Sequence, residues 1–212
     1  WRRSGMDEAT IKERAEGKPF NFADMVFPIP LGYKRLQERD NIFMGGRRWL
    51  VRMGNGHAPE HATFWSTDNE LLIAGDQIIS SISPNLGVYV TEPEADPVGE
   101  WLISCESFLP YAKPNQLVFS GHKLPFTGLK FRLHQLIENH YSALSRLRVF
   151  LEKPKTAAEC FKPLFKRTIA EDEYGLALVE AVAHLNHLFA KGEVSRDLDA
   201  RGAYVYKYLN TG

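Results

Sequence analysis

Four consecutive apolar residues, Leu71-Leu72-Ile73-Ala74, end abruptly at Gly75-Asp76. A strand with one wet face alternates polar and apolar side chains, so an unbroken apolar run predicts a strand covered on both faces. The surrounding sequence is strand-like as well. Arg47 to Met53, Ala62 to Ser66 and Glu70 to Ile79 are short runs of β-formers, separated by the turn signals Gly54-Asn55-Gly56 and Asp68-Asn69. Pro97 to Tyr111 has Val98, Trp101, Leu102, Cys105 and Phe108 at helical spacing, and Gln116 to Phe119 is a further buried strand ending at Ser120-Gly121-His122.

Beyond Gly128 the period changes to that of helices. Leu129, Leu133, Leu136, Ile137, Leu144, Leu147, Phe150 and Leu151 form one apolar stripe up to Pro154. Thr156 is a cap for a second helix over Ala157 to Phe165, and Asp172 for a third over Tyr174 to Ala190. Val194 to Leu209 reads as a hairpin turning near Asp199 to Gly202. Three helices and a two-stranded ribbon follow the order of a winged helix. At the other end, Ser4 to Glu16 predicts a short helix stopped by Gly17 and Pro19, and residues 19–33, with Pro19, Pro28 and Pro30, predict an irregular connection. Residue 1 is Trp and the first Met is Met6, so the sequence reads as starting inside a longer protein.

Composition narrows the partners. Twenty-six basic residues balance twenty-six acidic ones over 212 residues, so no global field favours nucleic acid or an anionic membrane. No apolar run approaches the roughly 20 residues of a membrane span, and no signal peptide opens the chain. Cys105 and Cys160 are too few for a disulfide framework and predict reduced, semi-buried thiols in a cytoplasmic protein.

Three stretches carry chemistry: Gly56-His57-Ala58-Pro59-Glu60-His61, Ala74-Gly75-Asp76, and Ser120-Gly121-His122-Lys123-Leu124-Pro125-Phe126. Each lies at the end of a strand with a glycine beside a potential ligand. Strands fix side chains well enough for metal binding, and glycine lets backbone approach without a Cβ clash. Imidazole with carboxylate suits zinc, one ion or two, with iron or manganese as the other candidates.

Gly-His-x-Pro-x-His, then Gly-Asp, then Gly-His-x-x-Pro-Phe resembles the later metal motifs of the metallo-β-lactamase superfamily, in the lactamase-β-like branch with a winged-helix-like tail. The resemblance implies an α/β protein: the C-terminal half of an αβ/βα metallo-β-lactamase sandwich over residues 1–128, and a small winged-helix-like α+β domain over 129–212. It makes His57, Asp76 and His122 metal ligands, with Asp76 bridging, and His61 a residue that supports the ligands without touching the metal. No side chain is then the nucleophile, that role falling to metal-activated water acting on an ester or thioester. The superfamily's upstream motif, His-x-His-x-Asp-His, is not in the sequence, and no histidine precedes His57. The resemblance therefore implies a missing N-terminal half of the same fold as partner, an apolar sheet face left bare, and a chain inactive by itself.

Two other functions use the same residues. A nuclease or phosphodiesterase would employ the same metal site, with Arg146 or Arg148 touching phosphate. A non-catalytic interaction module, derived from a truncated hydrolase, would need no metal. Nucleic acid is the less favoured partner, because the third helix has no Lys or Arg from Gly175 to Ala190. The tail is expected to shape the substrate mouth and to support self-association as a homo-oligomer. His134, His140, His184 and His187 read as packed or solvated histidines.

Overall fold

The computed structural model describes residues 1–18, 21–28 and 30–210. Pro19 in the expected helix stop and part of the connection over 19–33 lie outside the described residues. One sheet has the order β1-β2-β3-β4-β5, from Asn41–Met44, Arg47–Gly54, His61–Ser66, Leu71–Gly75 and Leu117–Ser120. The first four strands are antiparallel, and β5 joins β4 in parallel after a crossover through helix α2, Pro97–Phe108. Gly45 and Gly46, at φ 60° and 74°, form the tight turn between β1 and β2, a left-handed conformation that glycine adopts without strain.

Register sorts the apolar residues onto two faces. Leu50, Trp65, Leu72 and Val118 are cross-strand partners and face α2 and the first half of α3, Leu129–Phe150. Val51, Phe64, Ile73 and Phe119 line up on the other face, where Phe64 and Ile73 are only half-buried and Phe119 is exposed. The expectation of a β4 strand covered on both faces is thus corrected. Leu72 and Ala74 are fully buried, while Leu71 and Ile73 keep contact with water. The strand also stops at Gly75 instead of running on to Ile79, because Gly75 turns to φ 53°.

The second half of α3 belongs to another core. Leu144, Leu147 and Leu151 pack with Cys160, Leu164, Leu178, Leu185, Leu188 and Tyr206. These come from a 3-10 turn at Ala157–Cys160, helix α4 (Phe161–Phe165), helix α5 (Tyr174–Ala190) and a hairpin of β6 (Val194–Leu198) with β7 (Tyr204–Tyr208). The expected single helix over 157–165 is therefore two short pieces. Glu159 accepts a 2.8 Å hydrogen bond from the Thr156 N–H, closing the first turn as a capping residue does. The cap of α5 is Glu173, not Asp172, and its carboxylate is engaged by Arg167 at 2.6 and 2.8 Å.

Helix α1 runs Glu8–Glu16 from an Asp7 cap, which accepts from the Thr10 N–H at 2.9 Å, while Ser4 ends a separate 3-10 turn. Met6 and Ile11 pack into the helical core beside Leu144 and Tyr206. The N-terminal segment thus packs, through Met6 and Ile11, with the C-terminal elements that form this core. Both cysteines are fully buried free thiols, and burial pushes Cys160 up to about 12. Among the described residues no helix is long and apolar enough to cross a membrane.

Helix α3 offers a direct check of this packing. Leu136 is fully buried, whereas Phe131 is 74% exposed on the same helix. Leu136→Ala is expected to lower unfolding free energy by about 2–5 kcal/mol, and Phe131→Ala by less than about 0.5 kcal/mol. Urea denaturation measures both, and equal losses would refute the assignment of faces.

Candidate metal centre at the strand ends

The site begins with three backbone reversals. Gly56, at φ 95°, follows β2 and turns His57 inward. Gly75 ends β4 and delivers Asp76. After β5, the Gly121 N–H donates to the Gly75 carbonyl at 2.9 Å, which lays the His122 segment beside Asp76. A Cβ on Gly121 would stand 2.4 Å from Asp76 Oδ1, so glycine lets the backbone approach without displacing that carboxylate. Ser120 ties the same segment down through a 2.7 Å bond from its hydroxyl to the Ile78 carbonyl.

These turns bring the three candidate ligands together around one carboxylate. His57 Nε2 lies 3.7 Å, and His122 Nε2 3.6 Å, from Asp76 Oδ2. His57 Nδ1 bonds the Asn85 carbonyl at 2.9 Å. A carbonyl can only accept, so Nδ1 carries the hydrogen, and in the neutral ring Nε2 then turns a lone pair towards the carboxylate. Two electron-rich atoms facing each other repel unless a cation or proton stands between them. Asp76 Oδ1, meanwhile, is buried without a partner among the described residues. This donor set fits a divalent cation, and Asp76 is the shared member of both pairs.

His61 opens β3 and lies against Gly75, where a Cβ would come 2.6 Å from its Cε1. Burial, and then the nearby His57, hold its imidazole below the ordinary histidine value. Its Nδ1 is buried without a partner among the described residues, and its ring centroid is 6.0 Å from that of His57. The contact seen is therefore packing behind the Asp76 turn. Glu60 is exposed and pairs with Arg35 at 2.5 Å, away from the ligands. His134 is exposed, while His140, His184 and His187 are buried.

A cavity of about 500 Å³ adjoins the three candidate ligands. One wall is the loop after β4, including Ile79, Ile82 and Asn85, and the other comes from the helical half, with Phe165, Arg167, Ile169 and Leu176. In the sequence the stretches Ile82-Ser83-Pro84-Asn85 and Ala183-His184-Leu185-Asn186-His187-Leu188 support the resemblance, but their hold on this loop is visible only in the fold. The Asn85 side-chain amide donates to Glu180 at 2.8 Å and to the Leu176 carbonyl at 3.2 Å. Asn186 donates to the Pro93 and Ala95 carbonyls at 2.9 Å each, and His187 Nδ1 meets the Asp96 carboxylate at 3.0 Å. The signal for them was a set of polar residues on an otherwise apolar helix, Glu180, His184, Asn186 and His187.

A helix-capped mixed sheet whose strand ends converge a histidine, an aspartate and a histidine beside a cavity defines the class. Comparison with known proteins makes it specific. The family described as Metallo-beta-lactamase-like, C-terminal domain, matches residues 144–209. A beta-lactamase domain protein from Burkholderia ambifaria is similar over 98% of this chain and 60% of its own, with 34% identity and a TM-score of 0.89. A metallo-beta-lactamase family protein from Thermus thermophilus is similar over 98% of this chain and 67% of its own, with 27% identity and a TM-score of 0.75. These likenesses support membership of the metallo-beta-lactamase superfamily, with this chain matching the C-terminal part of that fold. No curated protein matches it.

The turn that presents His57 is tested by Gly56→Ala. Its Cβ would lie 2.4 Å from the Pro97 carbonyl oxygen and 2.4 Å from Trp101 Cβ, neither of which is a flexible side-chain end. The strained φ adds to the clash, and the variant is expected to lose about 2–4 kcal/mol of stability in urea denaturation. An unchanged midpoint would mean that the turn is not held against α2.

Proposed function

We propose that this protein is a metal-dependent hydrolase of esters or thioesters, to which the 212-residue chain contributes His57, Asp76, His122 and much of the substrate cavity. The observation that carries the reading is the Asp76 carboxylate set between two imidazole nitrogens at 3.6 and 3.7 Å. A bound zinc ion would supply Lewis acidity and bring the pKa of a water molecule down towards ~7. The protein's own part is positional. Asn85 fixes the His57 tautomer through its carbonyl, and Gly121 leaves room for Asp76. Ile79, Ile82, Phe165, Ile169 and Leu176 give the cavity an apolar wall suited to an acyl chain.

The nuclease reading draws less support. Arg146 commits its guanidinium to the Pro163 and Leu164 carbonyls and the Ser142 hydroxyl, and Arg148 is paired with Glu193 at 2.6 Å. Neither is left free to meet a phosphate, and the net charge is zero. The location we assign, the cytoplasm, and self-association through the helical tail belong to this reading as well.

Zinc titration of the chain checks the metal half of the proposal. Asp76→Asn is expected to weaken zinc binding at this site by about 100-fold, and Gly121→Ala by about tenfold, since losing even a group that only orients a ligand costs roughly 10–100-fold. The hydrolytic half is measured on the protein isolated from its native cells, with acyl thioesters, aryl esters and phosphodiesters offered in parallel. Thioester or ester turnover that is lost to a chelator and indifferent to salt supports the proposal. Salt-sensitive phosphodiester cleavage would replace it with the nuclease, and neither metal nor turnover would replace it with an interaction module.

A further inference from the structure

A second group of ligands lies in the helical half, apart from His57, Asp76 and His122. Helix α3 supplies His140, and helix α5 supplies Glu180 and His184, one turn apart on the same helix face. One ligand atom from each lies within 4.8 Å of the others, and no other three such residues meet that closely among the described residues. The two rings are stacked, with centroids 5.6 Å apart and planes at 9°. Trp101 closes the far side of His140 at a centroid distance of 4.6 Å.

The tautomers are fixed by the helices themselves. His140 Nδ1 bonds the Leu136 carbonyl at 2.9 Å, and His184 Nδ1 bonds the Glu180 carbonyl at 2.9 Å. Both Nδ1 atoms therefore carry hydrogen, and both Nε2 atoms present lone pairs. A backbone carbonyl holding one nitrogen while the other ligates is the arrangement by which proteins orient metal-binding histidines. Glu180 adds a carboxylate whose one hydrogen-bond donor is the Asn85 amide, at 2.8 Å on Oε2. Three electron-rich groups thus converge with no cationic side chain among them. Burial pushes His184 down to about 3, holds His140 below the ordinary histidine value and pushes Glu180 up to about 7, so the pocket disfavours charge on all three groups. A proton on Glu180 can satisfy one Nε2; a metal ion satisfies all three groups.

We propose that His140, Glu180 and His184 bind a divalent transition-metal ion, of the zinc or cobalt class, at a site separate from the strand-end centre. Two imidazoles and a carboxylate are a sufficient zinc-type ligand set. A cavity of about 440 Å³, lined by these three residues with Asn139 and the cations Arg146, Lys166 and Arg167, opens onto the cluster and leaves room for a fourth ligand; Arg146 is engaged by the Pro163 and Leu164 carbonyls and Arg167 by Glu173. The proposal does not rest on metal binding at Asp76.

Cobalt titration of the 212-residue chain, followed by its visible d–d absorption, separates the two centres. The double variant Asp76→Asn, His122→Ala is expected to keep one equivalent of cobalt. Glu180→Gln retains the acceptor for Asn85 and nearly the same volume, and so preserves the fold. Placed in that double variant, it is expected to weaken the remaining binding by about tenfold or more. His140→Gln gives a second, independent loss, and circular dichroism and the melting temperature verify folding of each variant. A metal-loaded double variant also melts higher, and Glu180→Gln removes that increment. If the double variant binds no cobalt while the unmodified chain does, the ion belongs to the strand-end centre and the proposal is overturned. If the double variant binds cobalt and the unmodified chain binds no more, the strand-end reading fails and this one stands. Uptake undiminished by both Glu180→Gln and His140→Gln would also overturn the proposal.

Discussion

The grip of helix α5 on the segment between Asp76 and Pro97 is the interaction on which the arrangement of this molecule depends. That segment leaves β4 at the candidate metal centre and must return to start α2, yet it contains no strand or helix of its own. Backbone without regular structure has to find its hydrogen bonds elsewhere. It finds several on one helix: Val88 N–H bonds the Val179 carbonyl, and the Asn85, Pro93, Ala95 and Asp96 positions are met by Glu180, Asn186 and His187. A helix that would otherwise be apolar all round carries polar groups there because the loop needs them. The same contacts join the sheet half to the helical half and set one wall of the cavity.

At the strand ends the controlling quantity is space. Gly75 admits the His61 ring and Gly121 admits the Asp76 carboxylate, each at a distance where a Cβ would collide. The short hydrogen bond from Gly121 to Gly75 then locks β5 to β4 beyond their last regular pairing. Positioning by backbone in this way leaves the side chains free to ligate. Little stability is gained from Asp76 itself, whose Oδ1 is buried and unpaired; the packed sheet beneath it offsets that loss.

Much of this is legible in the sequence. Strand-forming runs that end in Gly-His or Gly-Asp declare both the period and the chemistry, and the order of the three motifs declares the family. The apolar stripe of α3 was legible because helical spacing persists over its whole length. What escaped was information the sequence does not encode locally. Asn85 works partly through its backbone carbonyl, which every residue possesses, so its hold on His57 has no letter of its own. The sequence also assigns α1 to its neighbours in order, whereas Met6 and Ile11 are drawn to the helical core by long-range packing. The apolar run of β4 suggested two covered faces because hydrophobicity reports what a strand tolerates, not which side of it is buried.

His140 and His184 show the same limit from another side. Alone, each is a buried histidine satisfied by the carbonyl one turn before it, the ordinary fate of a histidine inside a helix. Only the approach of His140 on α3 to His184 on α5 brings their nitrogens to the Glu180 carboxylate. Glu180 also belongs to the other centre, because the residue it holds, Asn85, is the residue that holds His57. Anything that changes the charge on Glu180 therefore acts on the loop that orients His57. The two clusters have no residue in common but share one loop. A cation that neutralises Glu180 would leave the acceptor of the Asn85 amide in place while removing the penalty for burying it, so the loop would be held more firmly.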